Sequence, residues 1–102
     1  MQVKFTDKAI AHLESIIDIY IEYAGERYAM KFSSLVDQKL KRLMLFPASG
    51  FPEPLLEGRK YLYRATIIHN NYKMIYYVEG STIWVSAFWD MRMSPSRLQK
   101  MI

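Results

Sequence analysis

Three basic residues in the C-terminal half, Arg64, Lys73 and Arg92, offer the clearest chemistry in this sequence. Arg64 and Lys73 each interrupt an alternating apolar segment, and Arg92 follows just after a third. Cations placed this way can hold a phosphate or a carboxylate through charge-assisted hydrogen bonds. Strand alternation decides which side chains meet. Arg64 and Thr66 share one face of their strand, and Tyr63, Ala65 and Ile67 share the other. On the next strand Lys73, Ile75 and Tyr77 lie opposite Tyr72, Met74, Tyr76 and Val78. The set with Met74 and Val78 is the better core face, so Arg64 and Lys73 are expected to project together from the other face. With Arg92 beside them they would form an anion-binding groove. The competing reading is a solvated sheet face, which antiparallel sheets commonly present to water.

Other reactive types are sparse. His12 falls on the polar side of a helical pattern, where solvent exposure is expected, and His69 sits beside an Asn70-Asn71 turn. Neither pairs with another residue at metal-ligand spacing. No serine stands in a nucleophile elbow and no glycine-rich phosphate loop is present. There are no cysteines, which excludes disulfides and thiolate metal sites. Neither a metal nor a cofactor is expected. Tyr61, Tyr63, Tyr72, Tyr76, Tyr77, Trp84, Phe88 and Trp89 crowd the C-terminal half. Stacking on RNA bases is one use for them. Core packing and a partner interface are the better reading, because strands favour aromatics for propensity alone.

The elements that must position these residues follow from periodicity. Met1 to Phe5 alternates and reads as a strand. Thr6 and Asp7 start a helix, by capping and by charge at the positive end of its dipole. From Asp7 to Ala24, Ile10, Leu13, Ile17, Tyr20, Ile21 and Ala24 recur at helical spacing, and Gly25 is a natural stop. A second helix runs from about Glu26 to Phe46. Its stripe is Ala29, Phe32, Val36, Leu40 and Leu43, with Lys31, Asp37, Gln38, Lys41 and Arg42 in water, and Pro47 ends it. A joint this short makes an antiparallel helical hairpin. Ala48 to Lys60 is a loop containing Gly50, Pro52, Pro54 and Gly58. Three strands follow, Tyr61 to Ile68, Tyr72 to Val78 and Thr82 to Trp89, joined by turns at Asn70-Asn71 and Glu79-Gly80. Ser94-Pro95 opens a short helix over Ser96 to Ile102. The order predicts an α+β fold, β-α-α-β-β-β with a short C-terminal helix, in which an antiparallel sheet packs on the helical hairpin.

The chain has 102 residues, 51% of them hydrophobic, enough for one core and one domain over 1–102. No stretch reads as a signal peptide or as the roughly 20 apolar residues of a membrane helix. A cytoplasmic protein without membrane contact is expected. The net charge of +4 suits an acidic partner, whether nucleic acid or protein, although solubility alone also explains it.

Tyr63-Arg64, Tyr72-Lys73-Met74-Ile75-Tyr76-Tyr77 and Phe88-Trp89-Asp90-Met91-Arg92-Met93-Ser94-Pro95 together resemble the RelE/ParE toxin superfamily. Its central strand often reads like Y-R-I-I-Y, and in one group the last strand ends like F-D-x-R-Q-N-P. Trp89 stands for the phenylalanine, Lys73 for the arginine, Met93 for the glutamine and Ser94 for the asparagine, while Asp90, Arg92 and Pro95 match. The helical half, with Leu13, Ile17, Asp18, Ile21, Ala29, Phe32, Leu35, Leu43, Pro47 and Gly50, is also similar to the superfamily's hairpin.

The resemblance implies a growth-inhibiting toxin held silent by a cognate antitoxin, itself a short acidic-to-amphipathic protein. ParE-like members act on DNA gyrase, and RelE-like members cut messenger RNA on the ribosome. The long hairpin looks more like ParE. A nuclease needs a general base, an acid for the leaving oxygen, and cations for the phosphorane. Thr66 stands where a second lysine often occurs, and no histidine or tyrosine follows Trp89. Tyr61 or His69 would have to substitute. A gyrase-directed toxin that is not an enzyme is therefore the favoured expectation. A ribosome-dependent mRNA endoribonuclease is the alternative, and a degenerate antitoxin-binding member is a third. Arg64, Lys73 and Arg92 are the expected target- or anion-binding residues. Trp89, Met91 and Met93 are the expected antitoxin contacts, because surplus apolar side chains near a strand end mark an interface.

Overall fold

The computed structural model describes residues 1–69 and 71–102. The chain runs β1 (Gln2–Phe5), α1 (Asp7–Ala24), α2 (Glu26–Leu45), β2 (Phe51–Pro52), β3 (Arg64–His69), β4 (Tyr72–Glu79), β5 (Thr82–Asp90) and α3 (Pro95–Met101). This is the expected α+β order, with a two-residue strand and a 3-10 turn at Pro54–Leu56 added inside the long loop. The sheet order is β1-β5-β4-β3-β2. It is mixed rather than wholly antiparallel, because β1 enters parallel to β5, with Val3 opposite Ile83 and Phe5 opposite Val85. The hairpin of α1 and α2 carries the chain from that edge to the far edge, where β2 pairs antiparallel with β3. The turn expected at Asn70-Asn71 includes Asn70, which lies outside the described residues; β3 and β4 on either side are antiparallel.

Local chemistry sets the helix ends. The Thr6 hydroxyl accepts from the Ala9 amide at 3.1 Å, the expected N-cap, and donates to the Ser86 carbonyl at 3.2 Å. That carbonyl is presented by a bulge: Ile75 pairs with Ala87 but Tyr76 with Val85, leaving Ser86 extra on β5. The bulge thus anchors the start of α1 on the central sheet. α3 starts without a side-chain cap. The Ser94 Oγ lies 2.9 Å from that of Ser96, while Pro95 opens the helix.

The hairpin covers one face of the sheet. Phe32, Val36 and Leu43 of α2 and Ala9 and Ile16 of α1 pack on Met74, Tyr76, Ile83, Val85 and Phe88. The stripe expected on α2 is the buried one. On α1 the buried face is rotated: Ala9 and Ile16 are inside, while Ile10 and Ile21 are exposed. His12, expected in water, is half-buried, and its Nδ1 accepts the Phe88 amide at 3.3 Å. Burial, with Lys8 nearby, lowers its pKa from the usual 6.5, which suits a neutral acceptor.

The opposite face is not solvated. Leu56, Ala65, Ile75, Ala87, Trp89 and Leu98 form a second, smaller core there, closed by α3 and the 3-10 turn. Between the two cores sits a loop pinned by side-chain hydrogen bonds. Fully buried Tyr76 donates from its hydroxyl to the Pro47 carbonyl at 2.7 Å and accepts the Gly50 amide at 3.0 Å. A Cβ on Gly50 would stand 2.5 Å from that hydroxyl oxygen and 2.8 Å from the Ala65 carbonyl oxygen, so the approach requires glycine.

Candidate functional site

The three cations do not converge. Register places Arg64 opposite Tyr76, on the hairpin side of the sheet. Lys73 lies opposite Ile67 and Trp89, on the α3 side. Strand alternation is sound, but Tyr63 does not belong to β3; it is the last residue of the loop, tied through its carbonyl to the Glu53 amide at 2.9 Å. With the register fixed by Arg64–Tyr76, the sheet itself separates the two charges. Arg64 begins β3 opposite Pro52 of the edge strand β2 and donates to the Gly50 carbonyl at 2.9 Å, holding the loop that follows α2. Lys73 is buried in an ion pair with Glu53 at 2.6 Å, with side chains 10% and 0% exposed. Glu53 also caps the 3-10 turn, accepting the Leu55 amide at 3.2 Å. Both residues are therefore fasteners of the fold rather than walls of a groove.

Arg92 alone stays on the surface. The Asp90 carboxylate takes its Nε at 3.0 Å and its Nη2 at 2.8 Å, so the guanidinium plane is fixed. Hydrogen bonds from Arg92 hold the Asp90 carboxyl below its ordinary range. Trp89, expected as an antitoxin anchor, is only 6% exposed and belongs to the second core. Its strand is covered on that side by α3, whose Leu98 packs in the same core. Met91 and Met93 are on the surface, 37% and 38% exposed.

Around Arg92 the fold assembles residues that sequence reading did not group. A cavity of about 330 Å³ opens between the hairpin bend and the β3–β4 end of the sheet. Tyr20 and Tyr23 reach it from α1, Tyr28 from α2, and His69, Tyr72 and Arg92 from the sheet side. The Tyr20 ring lies 4.9 Å from Tyr28 and 6.2 Å from Tyr72, centroid to centroid. The Tyr28 hydroxyl meets His69 Nε2 at 3.2 Å. Burial raises the Tyr20 and Tyr72 pKa values above 10.0, so both hydroxyls stay protonated near neutral pH. A signal existed: in a hairpin bent at Gly25, Tyr20 and Tyr28 must lie near each other. Among the described residues no group of three or more His, Cys, Asp or Glu could hold a metal ion. No helix among them is long and apolar enough to cross a membrane.

A family model described as the ParE toxin of the type II toxin–antitoxin system parDE matches residues 3–95. A solved structure described as a chromosomal ParDE TA system from P. aeruginosa is similar in fold. It has a TM-score of 0.70 at 23% identity, over 88% of this chain and 95% of that one. No curated protein sequence gives a significant match. The chain belongs to the ParE toxin family. It is the toxin component of a type II toxin–antitoxin pair, and its partner is an antitoxin.

Proposed function

We propose that this toxin stops growth by inhibiting DNA gyrase rather than by cutting RNA. Membership of the ParE family supports the target. The observation that carries the choice is the fate of the cations. Lys73 is held in a buried ion pair and Arg64 on a loop carbonyl, on opposite sides of the sheet. A nuclease needs such charges free and convergent on one phosphorane, and this chain spends them on its own loop. The toxin then acts by contact with its target, as a single domain in the cytoplasm.

The antitoxin covers exposed apolar surface. Met91 and Met93 lie beside Arg92, which offers a rim charge to an acidic residue. On the hairpin, Ile21 and Met30 line a second open groove. Induced expression of the chain alone should arrest growth and raise a DNA-damage response, with bulk messenger RNA intact. Co-expressing the antitoxin should restore growth, and should fail to do so when Met91→Glu and Met93→Glu are combined. Normal growth with folded protein accumulating would remove the toxin reading. Codon-spaced cuts in ribosome-bound messenger RNA would transfer it to RNA cleavage.

A further inference from the structure

Apart from Arg92, which the antitoxin reading uses as a rim charge, the cavity at the hairpin bend has a composition that neither gyrase inhibition nor antitoxin binding requires. Its wall is largely aromatic, from Tyr20, Tyr23, Tyr28 and Tyr72, and among the described residues Arg92 is the one arginine or lysine that lines it. Its volume of about 330 Å³ lies at the small end of the range for small-molecule sites. Three features prepare it for a ligand that is flat at one end and anionic at the other. The rings of Tyr20 and Tyr28 are held at 4.9 Å, and Tyr28 is fixed further by its hydroxyl contact with His69 at 3.2 Å. Tyr23, 79% exposed at the rim, presents its ring to solvent. Asp90 binds Nε and Nη2 of Arg92, which orients the guanidinium and leaves Nη1 uncommitted to that carboxylate.

We propose that this cavity is a nucleotide site, taking a phosphate-bearing nucleobase either as a free nucleoside monophosphate or as the end of a single strand. The base stacks on Tyr23 or Tyr20, since every base has a face for an aromatic ring. The phosphate is taken by Nη1 of Arg92, on the edge of the guanidinium that Asp90 leaves open, with the Tyr72 hydroxyl on the same cavity wall as a further donor. An acidic peptide is a poorer fit, because a single cation would have to supply what the rings supply to a base. No bond is made or broken in this step. The site is independent of the gyrase reading and would persist if that reading failed.

The test is a nuclear magnetic resonance titration of the intact chain with adenosine monophosphate, adenosine, inorganic phosphate and a 5′-phosphorylated tetra-adenylate. Adenosine monophosphate should shift resonances of Tyr20, Tyr23, Tyr28, Tyr72 and Arg92, with adenosine and phosphate each binding at least tenfold more weakly. Arg92→Gln should weaken adenosine monophosphate about tenfold, and Tyr23→Ala about fivefold. Both side chains are exposed, so the fold should be intact. Lys60→Ala, on the opposite side of the sheet, should change nothing. Equal affinity for the tetra-adenylate would identify the free nucleotide as the occupant, and tighter binding would identify a strand end. Three results would each overturn the proposal: no shifts at millimolar nucleotide, phosphate binding as well as the nucleotide with Tyr23→Ala silent, or a glutamate-rich peptide shifting these residues when nucleotides do not.

Discussion

Trp89→Ala is expected to destabilise the toxin by about 3–5 kcal/mol, the range for deleting a large buried aromatic. Trp89 fills the second core against Leu56, Ile75 and Leu98, with the sheet below it and α3 above. A strand cannot sink to fill the space, and α3 is only seven residues long. The cavity therefore stays open and α3 loses its main support. Since small domains hold only about 5–15 kcal/mol in all, urea unfolding followed by circular dichroism should show a much lower midpoint. A loss under about 1 kcal/mol would mean that α3 does not close over Trp89. The same experiment separates two roles for this residue, because a surface anchor would lose partner affinity at unchanged stability.

Breaking the Glu53–Lys73 pair from one side should cost a similar amount, about 3–5 kcal/mol, because the remaining charge is left buried and uncompensated. Glu53→Gln tests this cleanly, since an amide oxygen can still accept the Leu55 amide and keep the 3-10 turn capped. Lys73→Met removes the other charge while keeping much of the aliphatic stem. The double variant Glu53→Gln with Lys73→Met should recover most of the stability lost in Glu53→Gln alone, since no bare charge remains. The coupling is read from a double-mutant cycle in denaturant. Additive losses with no coupling would mean that the two groups do not share a dry contact. Loss of this pair should also loosen the segment from Pro52 to Tyr63, which lines a cavity of about 520 Å³ on that side.

Most of the frame was legible because it rests on local signals. Thr6, Gly25 and Pro95 mark helix ends by their own chemistry, and Ala29, Phe32, Val36 and Leu43 repeat at helical spacing. The site was less legible, for reasons tied to particular residues. Alternation says that Arg64 and Thr66 share a face, but it does not say which face of β4 they meet. That depends on register, which the Tyr76 hydroxyl helps fix by holding Pro47 and Gly50. Glu53 lies in a loop with no periodic signal, so its pairing with Lys73 across the fold leaves no trace in spacing. Trp89 reads as surplus apolar surface until α3 and the 3-10 turn provide a second layer. His12 falls on the polar arc of α1 by spacing. It is half-buried because the Ser86 bulge brings β5 against the start of that helix.

This member of the ParE family is expected to act on gyrase. The most direct measurement is supercoiling of relaxed plasmid by purified bacterial gyrase, with the toxin added alone and then with its antitoxin. The toxin should block supercoiling or trap cleaved plasmid in a dose-dependent way, and equimolar antitoxin should abolish the effect. The folded toxin leaving gyrase fully active, while cutting messenger RNA in a translation extract, would overturn the gyrase reading.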